Sequence, residues 1–226
     1  MIVIVGSAFN RTARDIAARW GSQRAALLTA EDVCSPGWSL RVPADDAGRA
    51  VVGGRVISNG EIEGVLTLRP RVFAAELRLI RPADRQYVSV EMNAFLLAWL
   101  TSLRCRVMNR PCATSLAGPT WSAEQWTTTA AALGIPVRRR TRVVPAVATS
   151  PAEDAIEVVA IGEQCFGAAA PALADWTRRL ARAAAVELMA ARFSRTDHHL
   201  LSATSWPPLG DGDVFDALRA RMEDAA

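Results

Sequence analysis

The sequence predicts an α/β protein, with a parallel sheet flanked by helices in its N-terminal part and a smaller α+β part after it. Three observations carry this reading. The opening run Met1 to Gly6 (MIVIVG) is a buried-strand pattern followed by a helix and a second strand, the β-α-β order that favours parallel pairing. A long apolar segment with helical spacing, Tyr87 to Leu103, stands between two strand-like runs. The second half then sets a strand hairpin before a long alanine-rich stretch.

Each element has its own warrant. The first helix is expected from about Thr12 to Trp20, with Asn10 as its N-cap, and Ala25 to Thr29 reads as the second strand. Gly6 stands alone, without the G-x-G-x-x-G spacing of a dinucleotide site. Ala50 to Val52 and Arg55 to Ile57 flank Gly53-Gly54, which reads as a hairpin turn. Asn59-Gly60 gives another turn. Val65 to Leu68 is an apolar strand stopped by Arg69-Pro70. In the Tyr87 to Leu103 helix, Val90, Ala94, Leu97, Ala98 and Thr101 form the expected buried stripe, widened by Met92, Phe95, Trp99 and Leu103. Arg106 to Met108 is a strand halted at Asn109-Arg110-Pro111, because proline cannot continue a sheet. Ser122, with Glu124 and Gln125, opens a helix that closes at Gly134.

Beyond Gly134, Ile135 to Val147 is expected to be extended, and Ser150 to Asp154 to be a turn. Ile156 to Ile161 and Gln164 to Gly167 form a hairpin about Gly162-Glu163. One long helix is expected from Ala172 to Arg192, with Leu173, Trp176, Leu180, Ala184, Leu188 and Ala191 on a single face. Leu200-Leu201 is a strand leaving through Trp206-Pro207-Pro208, and Val214 to Met222 is a final amphipathic helix.

Composition narrows the function. A chain of 226 residues makes one large domain or two small ones. At this size folding buries roughly 70% of the unfolded surface, so neither a disulfide nor a metal is needed for stability. The four cysteines, Cys34, Cys105, Cys112 and Cys165, form no C-x-x-C pair and read as reduced, buried thiols. No apolar run reaches membrane-spanning length. Met1 leads into a strand with no basic region before it, so no signal peptide and a cytoplasmic location are expected. All 26 basic residues are arginine, a bias that fits a GC-rich bacterial genome. The lack of lysine excludes Schiff-base chemistry, a lysine general base and a P-loop lysine. The net charge of +3 is too small to argue for nucleic acid, and the aromatic residues do not interleave with the arginines. No G-x-S-x-G occurs, so Ser/His/Asp catalysis has no support.

Seven segments follow one another in a telling order: GRVISNGEIEGVLTLRP, VEMNAFLLAWL, VMNRP, WTTTAAALGIPV, VVAIGEQCFGA, LARAAAVELMA and SATSWPPL. This order resembles the ATP-grasp superfamily, ligases that join a carboxylate to an amine through an acyl phosphate, and most of all the members acting on peptides and ribosomal natural products. The resemblance implies an ATP-grasp-like fold in reduced form: a pre-ATP-grasp α/β domain over 1–115 and a truncated α+β domain over 116–226. Glu91 and Asn109 match a recurrent Glu and Asn of the first domain. The family places two lysines and a glycine-rich loop over the ATP phosphates; this chain has no lysine, and between Val147 and Ile156 it has room only for a turn. The family holds Mg²⁺ with carboxylates and a Glu-x-Asn motif; the matching stretch, LLSATSWPP, has no acid. Mg²⁺ wants hard oxygen ligands, and acyl phosphate chemistry without that neutralisation loses its main transition-state stabilisation.

The expectation is therefore a pseudoenzyme, with no catalytic residues and no metal site of its own, acting as a non-catalytic subunit or binding module in peptide modification or in cofactor or natural-product biosynthesis. The alternative is a small ATP-dependent carboxylate-amine ligase with arginines in place of the lysines; only that alternative needs ATP and Mg²⁺, and no cofactor is expected otherwise. The partner would be a complete ATP-grasp ligase or a precursor peptide, and a homodimer or heteromeric complex is expected. The candidate binding residues are Asn109, Arg110, Arg138, Arg140 and Arg142. In a strand the last three would share one face, suited to phosphate, a carboxylate-rich peptide or an acidic partner; the competing reading is a charged, solvated strand edge. Asn109 reads as a turn-former before proline or as a ligand contact. Asp197-His198-His199 is awkward as a joint metal site, because neighbours in a strand point to opposite faces; a structural role is expected. Of Trp121 and Trp126, five apart at a helix start, one is expected to be exposed.

Overall fold

A computed structural model of the chain describes residues 1–41, 47–138, 154–167, 170–207, 209–210 and 212–224. The elements in chain order are β1 (Ile2–Val5), α1 (Arg11–Trp20), β2 (Ala25–Leu28), α2 (Ala30–Val33), β3 (Arg49–Val52), β4 (Arg55–Ser58), β5 (Gly64–Thr67), α3 (Arg85–Ser102), β6 (Arg106–Met108), α4 (Ala123–Ala132), β7 (Ala155–Ile161), β8 (Gln164–Phe166), α5 (Pro171–Ala183), β9 (Leu188–Ser194), β10 (Leu200–Thr204) and α6 (Gly212–Glu223). Contacts group the chain into two units, Met1–Pro119 with Pro208–Ala226, and Thr120–Pro207.

The first unit is built on a parallel sheet of order β2-β1-β5-β6. Its inner strands are buried throughout, and all their residues but Thr67 at the end of β5 are apolar or glycine, because both faces are covered. Asn10 caps α1 by accepting from the Ala13 N–H, as its position predicts. Gly6 lets β1 and α1 approach closely: a Cβ there would stand 3.0 Å from the Ala13 Cβ and 3.1 Å from a Leu27 methyl, so these neighbours would have to give way. The hairpin β3–β4 turns on Gly53 and Gly54, both with positive φ (57° and 74°), the backbone that a two-residue turn of this hand requires. Under the sheet, Trp38 packs edge-on against Phe95 and Trp99, with centroids 5.1 and 5.3 Å apart. The last helix returns to this unit: the Trp20 indole donates to the Phe215 carbonyl (3.1 Å), and Arg19 pairs with Asp216 (2.7 Å).

The second unit is an antiparallel sheet of order β10-β9-β7-β8 with α4 and α5 packed on it. Here the long helix expected from Ala172 to Arg192 is corrected. The helix α5 stops at Ala183, and the same apolar run continues as β9. Ala185 takes the left-handed conformation (φ 52°); its N–H donates to the Arg182 carbonyl and the Val186 N–H to the Ala181 carbonyl. That is a Schellman ending with alanine where glycine is usual. A central strand buried on both faces reads as one apolar run, so its alanines could not be told from helix by periodicity.

Two further expectations change. The stripe Val90, Ala94, Ala98 and Thr101 faces outward; of the expected residues Trp99 is buried, and α3 buries Ser89, Leu96 and Leu100 beside it. This helix carries apolar residues around its whole circumference, so two stripes compete and spacing cannot choose between them. Trp121 and Trp126 do share a contact: their rings lie 4.7 Å apart, with Trp126 buried and Trp121 half-buried. Trp121 precedes the N-cap Ser122 and folds back over the fourth helical residue, a hydrophobic staple beside the Ser122/Gln125 capping box. Of the extended run expected over Ile135 to Val147, Val137 bridges Leu200 in parallel; positions 139–153 lie outside the described residues. Among the described residues no helix is long and apolar enough to cross a membrane.

Candidate functional site

In the parallel sheet the chain leaves β1 toward β2 on one side, while β5 and then β6 add on the other. The switch lies between β1 and β5, and open α/β sheets bind ligands at the carboxyl ends of their strands at such a point. The two strands beyond the switch end alike: β5 runs into Leu68-Arg69-Pro70 and β6 into Asn109-Arg110-Pro111. Each proline breaks the ladder and turns the chain outward.

Arg69 is turned inward and only 3% exposed. Its guanidinium donates to the Gly6 carbonyl (3.1 Å) and the Arg71 carbonyl (2.9 Å), and it ion-pairs with Glu76. Burial pushes the Arg69 guanidinium below its usual pKa, with Glu76 opposing. Burial would raise the Glu76 carboxyl, but the Ser7 hydroxyl, the Phe73 N–H and Arg69 outweigh it and hold it below the ordinary range. Each guanidinium nitrogen has a partner, so Arg69 fastens the β1 exit, the β5 exit and the 74–76 turn together.

What it fastens is one wall of a groove of about 510 Å³. Residues 70–74 form that wall, α3 the second, and 112–116 after β6 the third. The walls are tied: Asn93 on α3 donates to the Val72 carbonyl (3.1 Å) and accepts from the Val72 N–H (2.9 Å), and the Leu116 N–H donates to the Pro70 carbonyl (2.8 Å). The floor is apolar, with Val72 and Leu116 buried and Val90, Ala94 and Leu97 along the helix. The lining contains no carboxylate, and its one cation, Arg71, lies over the Phe73 ring with the guanidinium carbon 5.1 Å from the centroid.

The sequence-derived candidates fall in both units. Asn109 is buried (3% exposed) at the end of β6, and Arg110 beside it is exposed. Arg138 lies in the second unit and donates to Asp197 (2.8 Å). Asp197 in turn holds the ring of His199, which is buried; the Ser194 hydroxyl, His199 and Arg138 together keep the Asp197 carboxyl far below its ordinary range. His198 takes a left-handed backbone (φ 56°) at this turn. Arg140 and Arg142 lie outside the described residues. Glu91 is exposed on α3, at the edge of a second apolar hollow with Trp38, Tyr87 and Phe95. Sequence reasoning missed the groove itself. Its signal was present as the repeated Arg-Pro exits and as an outward stripe on α3 taken for core.

On the paired strands β9 and β10, Ala203 faces Ala191 and Thr204 faces Ala190, with Arg192 opposite Ser202. These donors are hydroxyls and a guanidinium, a set that does not suit Mg²⁺. Among the described residues no group of three His, Cys, Asp or Glu side chains converges for a metal.

No protein-family model and no curated protein matches the sequence. Solved structures do. The chain is similar to the ATP-grasp ligase PsnB complexed with a phosphomimetic variant of its minimal precursor, Mg and ADP (TM-score 0.69, 15% identity, 97% of this chain and 98% of that one). It is similar also to the macrocyclase MdnC of Microcystis aeruginosa MRC bound with the precursor peptide MdnA (TM-score 0.67, 11% identity, 92% of each chain). The macrocyclase MdnB of the same organism matches at TM-score 0.64 and 12% identity over 99% of each chain. The chain therefore has an ATP-grasp-like α/β fold, as its order of elements implied.

Proposed function

We propose that this protein is a non-catalytic, peptide-binding member of the ATP-grasp fold, serving a peptide-modification pathway beside a complete ligase. The observation that carries the reading is the acid-free groove at the carboxyl end of the parallel sheet, a preformed surface with an apolar floor and polar walls. Two facts support it. MdnC was solved with a precursor peptide, and PsnB with its precursor. Neither β9 nor β10 carries an acid, their paired positions holding alanine, serine, threonine and Arg192, and the chain contains no lysine to hold phosphates. The reading also implies a homodimer or heteromeric complex, since α3 leaves Tyr87 exposed (69%), beside the second apolar hollow with Trp38 and Phe95.

The likeness to ligases favours one other reading, an amide or peptide ligase whose arginines replace the lysines. Arginine can clamp a phosphate, but Mg²⁺ would still need hard anionic oxygens. Titration calorimetry with ATP and Mg²⁺ separates the two. Non-catalytic function predicts no binding tighter than millimolar; Mg²⁺-dependent binding in the micromolar range would support the ligase instead.

A further inference from the structure

We infer that the groove between α3 and the two strand exits docks an amphipathic helix of a partner polypeptide, with an acidic residue of that helix placed over Arg71. The inference rests on the peptide-binding reading above and names the secondary structure and charge of what is bound.

A helix is favoured over an extended strand by the state of the groove's backbone. Strand addition needs an edge of unpaired N–H and C=O groups. Here the edges are taken: both polar groups of Val72 are bonded to Asn93, Cys112 and Ser115 exchange both of theirs, and the Leu116 N–H is held by Pro70. An extended segment would lose its hydration and gain no ladder. A helix satisfies its own backbone and needs only an apolar stripe to bury. The receiving surface has the matching form. Val90, Ala94 and Leu97 stand at i, i+4 and i+7, with the small Ala94 at the centre, where a neighbouring helix can approach closely.

Charge sets the partner's other feature. Arg71 is exposed on the rim, and among the described residues its guanidinium has no carboxylate partner; it lies over the Phe73 ring, 5.1 Å from the centroid. The nearby acid, Glu76, is already held by Arg69. A cation stacked on an aromatic ring, beside an apolar floor with no acid, is a natural partner for a carboxylate.

The test is a selection of random linear peptides displayed on phage against the full chain. Enriched sequences are expected to pair apolar residues at three- and four-residue spacing with an Asp or Glu. A synthetic peptide from the selection should lose about tenfold in affinity on Ala94→Trp, which fills the groove, and about as much on Arg71→Glu. Replacing the peptide's acid by arginine should restore binding to Arg71→Glu, a rescue that general destabilisation cannot produce. Val90→Arg serves as a second block should Ala94→Trp not fold. Selected peptides that bind these variants undiminished would overturn the groove while leaving peptide binding intact. Failure of any peptide to enrich would sink both. A wild-type dimer that Ala94→Trp converts to monomer would also overturn the inference, by making a second copy of the chain the occupant.

Discussion

The Glu76 carboxylate accepts from the Arg69 guanidinium and from the Phe73 N–H at once, so one buried ion pair sets the course of the chain that walls the groove. The Arg69 side chain is 4% exposed and that of Glu76 14%. Removing one partner of such a pair leaves the other charge buried and uncompensated. Glu76→Gln should therefore destabilise the fold by about 3 kcal/mol and weaken peptide binding, measured by denaturant unfolding and by titration. An unchanged midpoint would mean that the pair is dispensable.

The same residue governs acid sensitivity. Its folded carboxyl lies below its ordinary value, which in the unfolded chain is about 4.3. The sign follows: a depressed acid contributes stability that is complete above the unfolded value and is lost as pH falls toward the folded one. Asp197 and Asp216 are depressed as well, by Ser194, His199 and Arg138 in one case and by Arg19 in the other. Melting temperature should be level near neutrality and fall below about pH 4. In Glu76→Gln the fall should be shallower; an identical acid slope would remove Glu76 from the account.

Ala185 occupies the left-handed position that ends α5. For a residue with a Cβ that conformation costs roughly 1–2 kcal/mol. Ala185→Gly should raise stability by about 1 kcal/mol, read as a higher denaturant midpoint at unchanged slope. A loss of stability would contradict the Schellman ending.

Trp121 closes over Trp126 at the head of α4. Trp121→Ala removes the staple and should cost about 1–2 kcal/mol, with the capping box still in place. A change within experimental error would make the ring contact incidental.

Much of the architecture was legible where local chemistry is decisive. Asn10, Gly53-Gly54 and Ser122/Gln125 announce a cap, a turn and a helix start through side chains that act on their own neighbourhood. The order of LRP, NRP and the later hairpin was enough to anticipate the fold. Sequence failed where the answer depended on distant partners. Whether Leu188 to Ala191 was helix or strand turned on β7 lying alongside. Whether Val90 or Leu96 faced inward turned on the sheet beneath α3. Arg69 and Arg71 sit two residues apart with the same side chain, yet one is buried with a partner at each guanidinium nitrogen and the other exposed on a ring. Nothing in the local sequence separates them.

The central claim is that the chain holds a peptide without acting on it. The most direct measurement incubates the full chain with ATP, Mg²⁺ and a peptide that binds the groove, and follows ADP release together with peptide mass. The account predicts ADP release no faster than the peptide-free blank and an unchanged mass. Sustained ADP release matched by the loss of one water from the peptide would show an active ligase and contradict it.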